Sequence, residues 1–348
     1  MDTYTQAIIK EMEHYASCEV LGRVVATIFL GGGTPTILPV SLLEKILEGC
    51  YNNFSIQTNA EITVETNPAT IHRQDFKRLR SVGYNRISIG AQSFNPHELK
   101  FLERIHDIEE IYATVHKARE AGFENLSLDL MFALPGQSTA SWEYSLNRAL
   151  GEQPEHISTY NLTIEPGTAF HKQQTNGILK MPSDNHQLAH YKTAIKTMKA
   201  AGYQHYEISN FAKPGRESRH NLNYWENGDF LGLGAGASSF LNGNRFRNNP
   251  LPSHYIREIK TLEKAVEFKE TPKHRQIMGE TMMLGLRLLK GINLKKFEER
   301  FGVPFFNIYG SEISSLLRRK LISIKNNQIA LSEKGLYLAE SVIIEFIA

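Results

Sequence analysis

The sequence predicts an α/β fold in which a parallel sheet, open or closed into a barrel, precedes a smaller accessory domain. Three observations predict it. Short β-branched runs alternate with amphipathic stretches over the first two thirds of the 348 residues, as in strand–helix–parallel strand units. One phrase recurs in "SVGYNRISIG", "EAGFENLSLDL" and "AAGYQHYEIS": helix end, glycine, aromatic residue, polar pair, strand. From about residue 240 the alternation stops, and helices followed by a short hairpin take over.

The elements follow in order. A helix over roughly residues 3–16 opens the chain, where a βα barrel should open on a strand, so a first strand is missing. Strands are expected at "TIFLG", "EITVE", "RISIG", "LSLDLM", "HISTYNL" and "YEIS". Helices are expected at "SLLEKILEGCY", "DFKRLRSVG", "IEEIYATVHKAREAG", "ASWEYSLNRALG" and "DNHQLAHYKTAIKTMKAAG". Gly83, Gly122 and Gly202 of the recurring phrase suit the left-handed position that ends a helix. Beyond residue 240, "HRQIMGETMMLGLRLLKG", "NLKKFEERFG" and "NIYGSEISSLLRRKLI" read as helices. A hairpin then turns on the Asn-Asn of "LISIKNNQIAL", and a last helix follows. The result is a winged-helix-like element, expected to serve packing or a partner rather than DNA. The domain boundary is expected between residues 202 and 203, with 1–202 the partial barrel and 203–348 the accessory domain.

Composition excludes some classes. With 39 basic and 37 acidic residues the net charge is +2, so no basic face recruits nucleic acid. No apolar run approaches membrane-spanning length. "MDTYTQAIIKEMEHYAS" carries acidic residues before any apolar block, so no signal peptide is read there. Only Cys18 and Cys50 are present, which fits a reducing cytoplasm without disulfides, and both are expected to be small core residues.

Ligands of parallel α/β folds sit at the carboxyl ends of the strands. Here the first strand run leads into Gly31-Gly32-Gly33-Thr34-Pro35, and the second ends at Glu65. Gln92 and Ser93 follow the third, Asp129 lies within the end of the fourth, and Asn161 and Thr163 follow the fifth. A glycine loop can be a mere tight turn and a carboxylate a mere helix cap, but five such ends together make a binding rim. No Lys-Ser or Lys-Thr follows the glycines, so a P-loop fails, and no G-x-G-x-x-G supports a dinucleotide site. Glu65 and Asp129 would repel phosphates and suit an ammonium group or ribose hydroxyls. A ligand with an amino-acid end and a nucleoside end, S-adenosylmethionine, fits both.

"IFLGGGTPTIL", "EITVETNP", "NRISIGAQSFN", "LSLDLMFALPGQ" and "ISTYNLTIEPGT" together closely resemble the radical S-adenosylmethionine proteins related to oxygen-independent coproporphyrinogen III oxidase. "RHNLNYW", residues 219–225, is similar to the H-N-x-x-Y-W motif of that family's haem-chaperone branch. The resemblance runs from about residue 4 to the C-terminus and implies a partial (β/α)6 barrel with a C-terminal accessory domain. It implies that Gly32, Gly33, Thr34, Glu65 and Ser238 lie at the S-adenosylmethionine site. Gln92, Arg104, Asp129 and Thr163 match positions that bind a second such molecule in the oxidase branch, Arg104 offering a fork for a carboxylate. His220 becomes the candidate haem ligand, with Arg216 and Arg219 near enough in sequence to meet propionates.

One feature departs from the family. Its members begin with a strand and C-x-x-x-C-x-x-C, whose thiolates hold a [4Fe–4S] cluster; here the strand and the three cysteines are absent. As written, the chain cannot run radical chemistry. Either it begins inside a longer reading frame, with the motif expected within about 30–40 residues upstream of Met1, or it is a cluster-less relative that binds haem. Two functions follow: a haem chaperone passing haem to an acceptor haemoprotein, a respiratory one among the candidates, or radical decarboxylation of coproporphyrinogen III. The branch motif and the missing cysteines favour the first. A sugar-phosphate barrel enzyme has no phosphate signal beyond glycine.

Overall fold

The computed structural model describes residues 1–18, 20 and 22–347, and of Arg73 the backbone alone. Helix α1 (Asp2–Cys18) leads into β1 (Val24–Leu30), α2 (Val40–Asn53), β2 (Ser55–Thr66), α3 (Arg73–Val82) and β3 (Arg86–Gln92). Then come α4 (Pro96–Phe101), α5 (Ile108–Glu120), β4 (Leu126–Phe132), α6 (Thr139–Gly151), β5 (His156–Asn161), α7 (Ala169–Thr175) and α8 (Asp184–Ala200). Strands β6 (Gln204–Glu207) and β7 (Asn210–Ala212) complete a seven-stranded sheet of order β1-β2-β3-β4-β5-β7-β6, curled into a half barrel.

Strands β1 to β5 are parallel, whereas β7 runs antiparallel to both β5 and β6. "YEIS", expected as one more strand of the parallel series, is instead half of a tight hairpin. Two short strands need no crossover helix, which is why no helical pattern separates them.

Period-two alternation divides the strands between two environments. Ile62, Val64, Ile87, Ile89, Leu126, Leu128, Leu130 and Ile157 belong to the main core, together with helix residues such as Leu47, Phe76, Leu79, Ile111, Trp142 and Met198. The alternate residues line the concave face, where Ser88 and Ser127 bond to Asp129 and Ser127 to His156, with Glu65 facing the same side. Gly83, Gly122 and Gly202 follow α3, α5 and α8 with φ of 122°, 90° and 84°, the left-handed turn that ends these helices. Side-chain caps start others: Asp107 and Glu110 form a capping box on α5, and Ser138 and Ser183 cap α6 and α8.

After the sheet come α9 (Arg219–Trp225), the antiparallel strands β8 (Ser238–Leu241) and β9 (Asn244–Asn248), α10 (Pro252–Leu262) and β10 (Val266–Glu270). The connection before β8 is tied to α1 by a buried network. Glu11 accepts from Gly234 N–H at 2.9 Å, Asn248 Nδ2 at 2.6 Å and Tyr255 Oη at 2.6 Å, while Ala235 N–H donates to Tyr4 Oη. Residues 274–347 build a second core on Met282, Phe297, Phe305, Tyr309, Leu316, Ile329 and Phe346. It holds α11 (His274–Gly285), β11 (Ile292–Asn293), α12 (Leu294–Phe301), α13 (Phe305–Arg318) and the hairpin β12 (Ile322–Lys325) and β13 (Gln328–Leu331). The expected last helix is short and broken, α14 (Glu333–Leu336) and α15 (Ala339–Ile343). Asn326 and Asn327 turn the hairpin with φ of 49° and 61°, the paired left-handed geometry of a two-residue β-turn.

Candidate functional site

The glycine loop answers two different demands. Gly32 and Gly33 have φ of 84° and 141° with nothing within 4 Å of where a Cβ would stand, so their backbone faces open space. Gly31 is required for contact instead. A Cβ there would sit 2.5 Å from the Phe29 ring and 2.9 Å from the Glu65 carboxylate. The Gly32 N–H donates to Glu65, and burial with the nearby Asp129 charge pushes the Glu65 carboxyl up to about 7.

Asp129 is also pushed up, chiefly by desolvation, against the hydroxyls of Ser158, Ser88 and Ser127 that favour its charged form. Ser88 Oγ donates to it at 2.9 Å and Ser127 Oγ at 3.2 Å. The register puts Glu65 beside Ser88 and Asp129 beside Ser158, so these groups line one band across β2 to β5. Asn67 Nδ2 donates to Thr34 Oγ1 at 2.6 Å and pins the end of the loop. The Asn67 and Gln92 side chains fold over Gly90, where a Cβ would lie 2.7 and 2.8 Å from them, and Gln92 itself has φ of 64°.

Gly32, Gly33, Thr34, Glu65, Gln92 and Asp129 thus come together. Arg104 lies in the connection between α4 and α5, half-buried, with Nε lacking a partner and its pKa lowered by desolvation. Thr163 is exposed beyond β5, and Ser238 is exposed at the start of β8, its carbonyl packed against Gly232. Among the described residues, no hydrogen bond or ion pair joins these three to the glycine loop.

"RHNLNYW" forms helix α9, which sits against the concave face. Ser218 Oγ caps it through Asn221 N–H, and Glu61 of β2 accepts from Arg219 N–H at 3.2 Å and His220 N–H at 3.1 Å. The negative charge at a helix N-terminus is the stabilising arrangement. His220 stacks on Phe29 with ring centroids 5.0 Å apart, and Phe29 packs beneath Gly31, so His220 lies one ring away from the glycine loop. Both of its ring nitrogens have partners: Nδ1 with Thr27 Oγ1 at 2.8 Å and Nε2 with Tyr224 Oη at 2.9 Å. Burial lowers its pKa to about 4, which keeps the imidazole neutral. Arg216 and Arg219 are exposed, and the Arg219 guanidinium donates to the Asn59 carbonyl at 2.6 Å.

The cysteines separate. Cys50 is buried on α2, its thiol pushed up to about 12 by desolvation. Cys18, expected in the core, is exposed because it is the last residue of α1, although helical spacing puts it on the same face as Glu11 and Tyr15; its thiol donates to the His14 carbonyl. Sequence reasoning missed Phe29, Glu61, Asn67 and Gly90. Alternation from Glu65 back to Thr63 and Glu61 would have placed Glu61 on the concave face. Nothing local signals its partnership with residues about 160 positions away.

The chain matches the Radical SAM superfamily over residues 5–149 and the HemN C-terminal domain over residues 273–338. It is 35% identical to the haem chaperone HemW of Lactococcus lactis, covering 100% of this chain and 90% of that protein. Identity to the haem chaperone HemW of Bacillus subtilis is 37%, covering 100% and 92%. Among solved structures it is similar to coproporphyrinogen III oxidase (HemN) of Escherichia coli, a radical SAM enzyme, with a TM-score of 0.86 and 25% identity over 100% of this chain and 83% of that one. The half barrel is therefore that of a known lineage: the chain belongs to the radical S-adenosylmethionine superfamily, in the family of the haem chaperone HemW.

Proposed function

We propose that this chain binds haem through His220 and hands it to an acceptor haemoprotein in the cytoplasm, on a scaffold that also takes S-adenosylmethionine. The observation that carries the reading is the full-length likeness to haem chaperones combined with the environment of His220. A haem ligand must be a neutral imidazole with one free nitrogen and a held partner nitrogen. Burial supplies the neutrality, and Thr27 holds Nδ1. Tyr224 covers Nε2, so loading exchanges the phenol for iron and unloading restores it. Such an exchange suits a carrier, which must release what it binds.

The glycine loop fits S-adenosylmethionine: open backbone at Gly32 and Gly33, Thr34 held by Asn67, and carboxylates at Glu65 and Asp129. Gln92, Arg104, Thr163 and Ser238 complete the proposed set. The [4Fe–4S] cluster expected of the superfamily finds no ligands in these residues. Cys18 and Cys50 stand apart, and no group of three or more His, Cys, Asp or Glu that could hold a metal ion occurs among the described residues. Among the described residues no helix is long and apolar enough to cross a membrane.

The likeness to coproporphyrinogen III oxidase supports the second reading, oxidase-like radical chemistry, as fold alone. A transfer assay separates the two. Haem loaded on the chain should move to an apo-haemoprotein faster than free haem equilibrates, while a polypeptide of residues 1–348 yields no 5′-deoxyadenosine. Failure to retain or transfer haem, with deoxyadenosine formed instead, would reverse the assignment.

A further inference from the structure

Below the band of Glu65 and Asp129, the floor of the half barrel contains a buried arginine with two nitrogens that make no hydrogen bond. Arg86 is 2% exposed, and its Nε and one terminal nitrogen have no hydrogen-bond partner. It opens β3 beside Thr63 of β2, whose Oγ1 is buried and equally without a partner. Arg86 is two residues before Ser88, which bonds Asp129 across the concave face, so alternation points both residues inward. Its charge is felt by Asp129, His156 and Tyr206, which lie near it on the concave face. Asp129 does not neutralise it at contact, because the Asp129 oxygens are engaged by serine hydroxyls.

A guanidinium is a permanent cation, and a buried one without a partner is strongly unfavourable. We propose that the floor of the half barrel is a carboxylate site, built on Arg86 with Thr63, His156 and Tyr206 as its polar walls. His156 is held neutral between Ser127 Oγ and Tyr206 Oη, both 2.8 Å away, so the guanidinium is the one cation there among these groups. A singly charged ligand matches it. A phosphate would bring a second charge toward Asp129 and Glu65. The Ser218 N–H donates to Tyr206 Oη at 3.3 Å, so the site adjoins the start of the helix that carries His220. The carboxylate has two possible sources, a haem propionate, which rests on the function proposed above, or a free small acid.

The full 348-residue chain and its Arg86→Met variant decide it. In carboxylate-free buffer the melting temperature of R86M sets its own baseline, because the substitution removes both a buried cation and its attraction to Asp129. Acetate should raise the melting temperature of wild type by several degrees beyond chloride at matched ionic strength, and leave R86M unmoved. Wild type should bind haem about tenfold more tightly than haem dimethyl ester, and R86M should bind the two alike. Should R86M fail to fold, Arg86→Lys, which keeps the charge and loses the planar fork, should show a weakened acetate response. A wild-type chain that binds no haem defeats the haem reading, and the acetate arm then judges the site alone. If neither the acetate response nor the ester discrimination depends on Arg86, the floor holds water only and the proposal falls.

Discussion

Gly31 shows how closely the chemistry of this fold is written into single residues. Its missing side chain lets Phe29 and Glu65 meet the backbone, so Gly31→Ala forces both aside. Overpacking of this kind costs about 1–3 kcal/mol, and a denaturant titration of G31A should show a loss in that range. Glu65 carries a pH signature. With its carboxyl at about 7 in the fold and 4.5 when exposed, the folded state keeps a proton that the unfolded chain has released. Stability from this group is therefore present below pH 4.5 and falls as pH rises through 7. Glu65→Gln should melt higher than wild type at pH 8, with a much smaller gain at pH 5; an equal shift at both would contradict the raised carboxyl. Residues of this rank were legible in the sequence, because each follows a recognisable strand. Gly90 was not, since its need to be glycine comes from the Asn67 and Gln92 side chains folded over it.

At the scale of elements, α9 is the least legible piece and the most consequential. Seven residues are too few for helical periodicity to declare itself, and isolated helices so short are marginal in water. This one exists because Glu61, on a strand 158 residues earlier, accepts the amides of its first turn. Glu61→Ala should loosen α9 by about 1–2 kcal/mol, read as faster hydrogen exchange in residues 219–225 while β2 and β3 keep their protection. Unchanged exchange there would mean that the helix stands on its aromatic contacts alone. The β6–β7 hairpin escaped notice for a similar reason: strands of four and three residues offer little alternation to read. The long βα units were plain because each repeats a strand, a helix and a glycine stop.

Over the whole molecule, α9 joins the half barrel to the C-terminal unit. Its far end meets Arg287, whose guanidinium lies 4.4 Å over the Trp225 ring, and the following residues bond onward, Asn227 Nδ2 to Thr281 Oγ1 at 3.0 Å and Arg300 to the Asn227 carbonyl at 2.9 Å. Residues 287–289 also pair with β6, through Ile208 N–H to the Arg287 carbonyl and Leu289 N–H to the Tyr206 carbonyl. The helix that carries His220 is thus held from both sides. The proposed haem carriage turns on His220 ligating iron once Tyr224 lets go of Nε2. The direct measurement is a Soret titration of wild type, His220→Ala and Tyr224→Phe with haem under one set of conditions. H220A should bind more weakly with an altered band, and Y224F, whose Nε2 is already free, should bind more tightly with the wild-type band. Identical affinities and spectra for all three would contradict it.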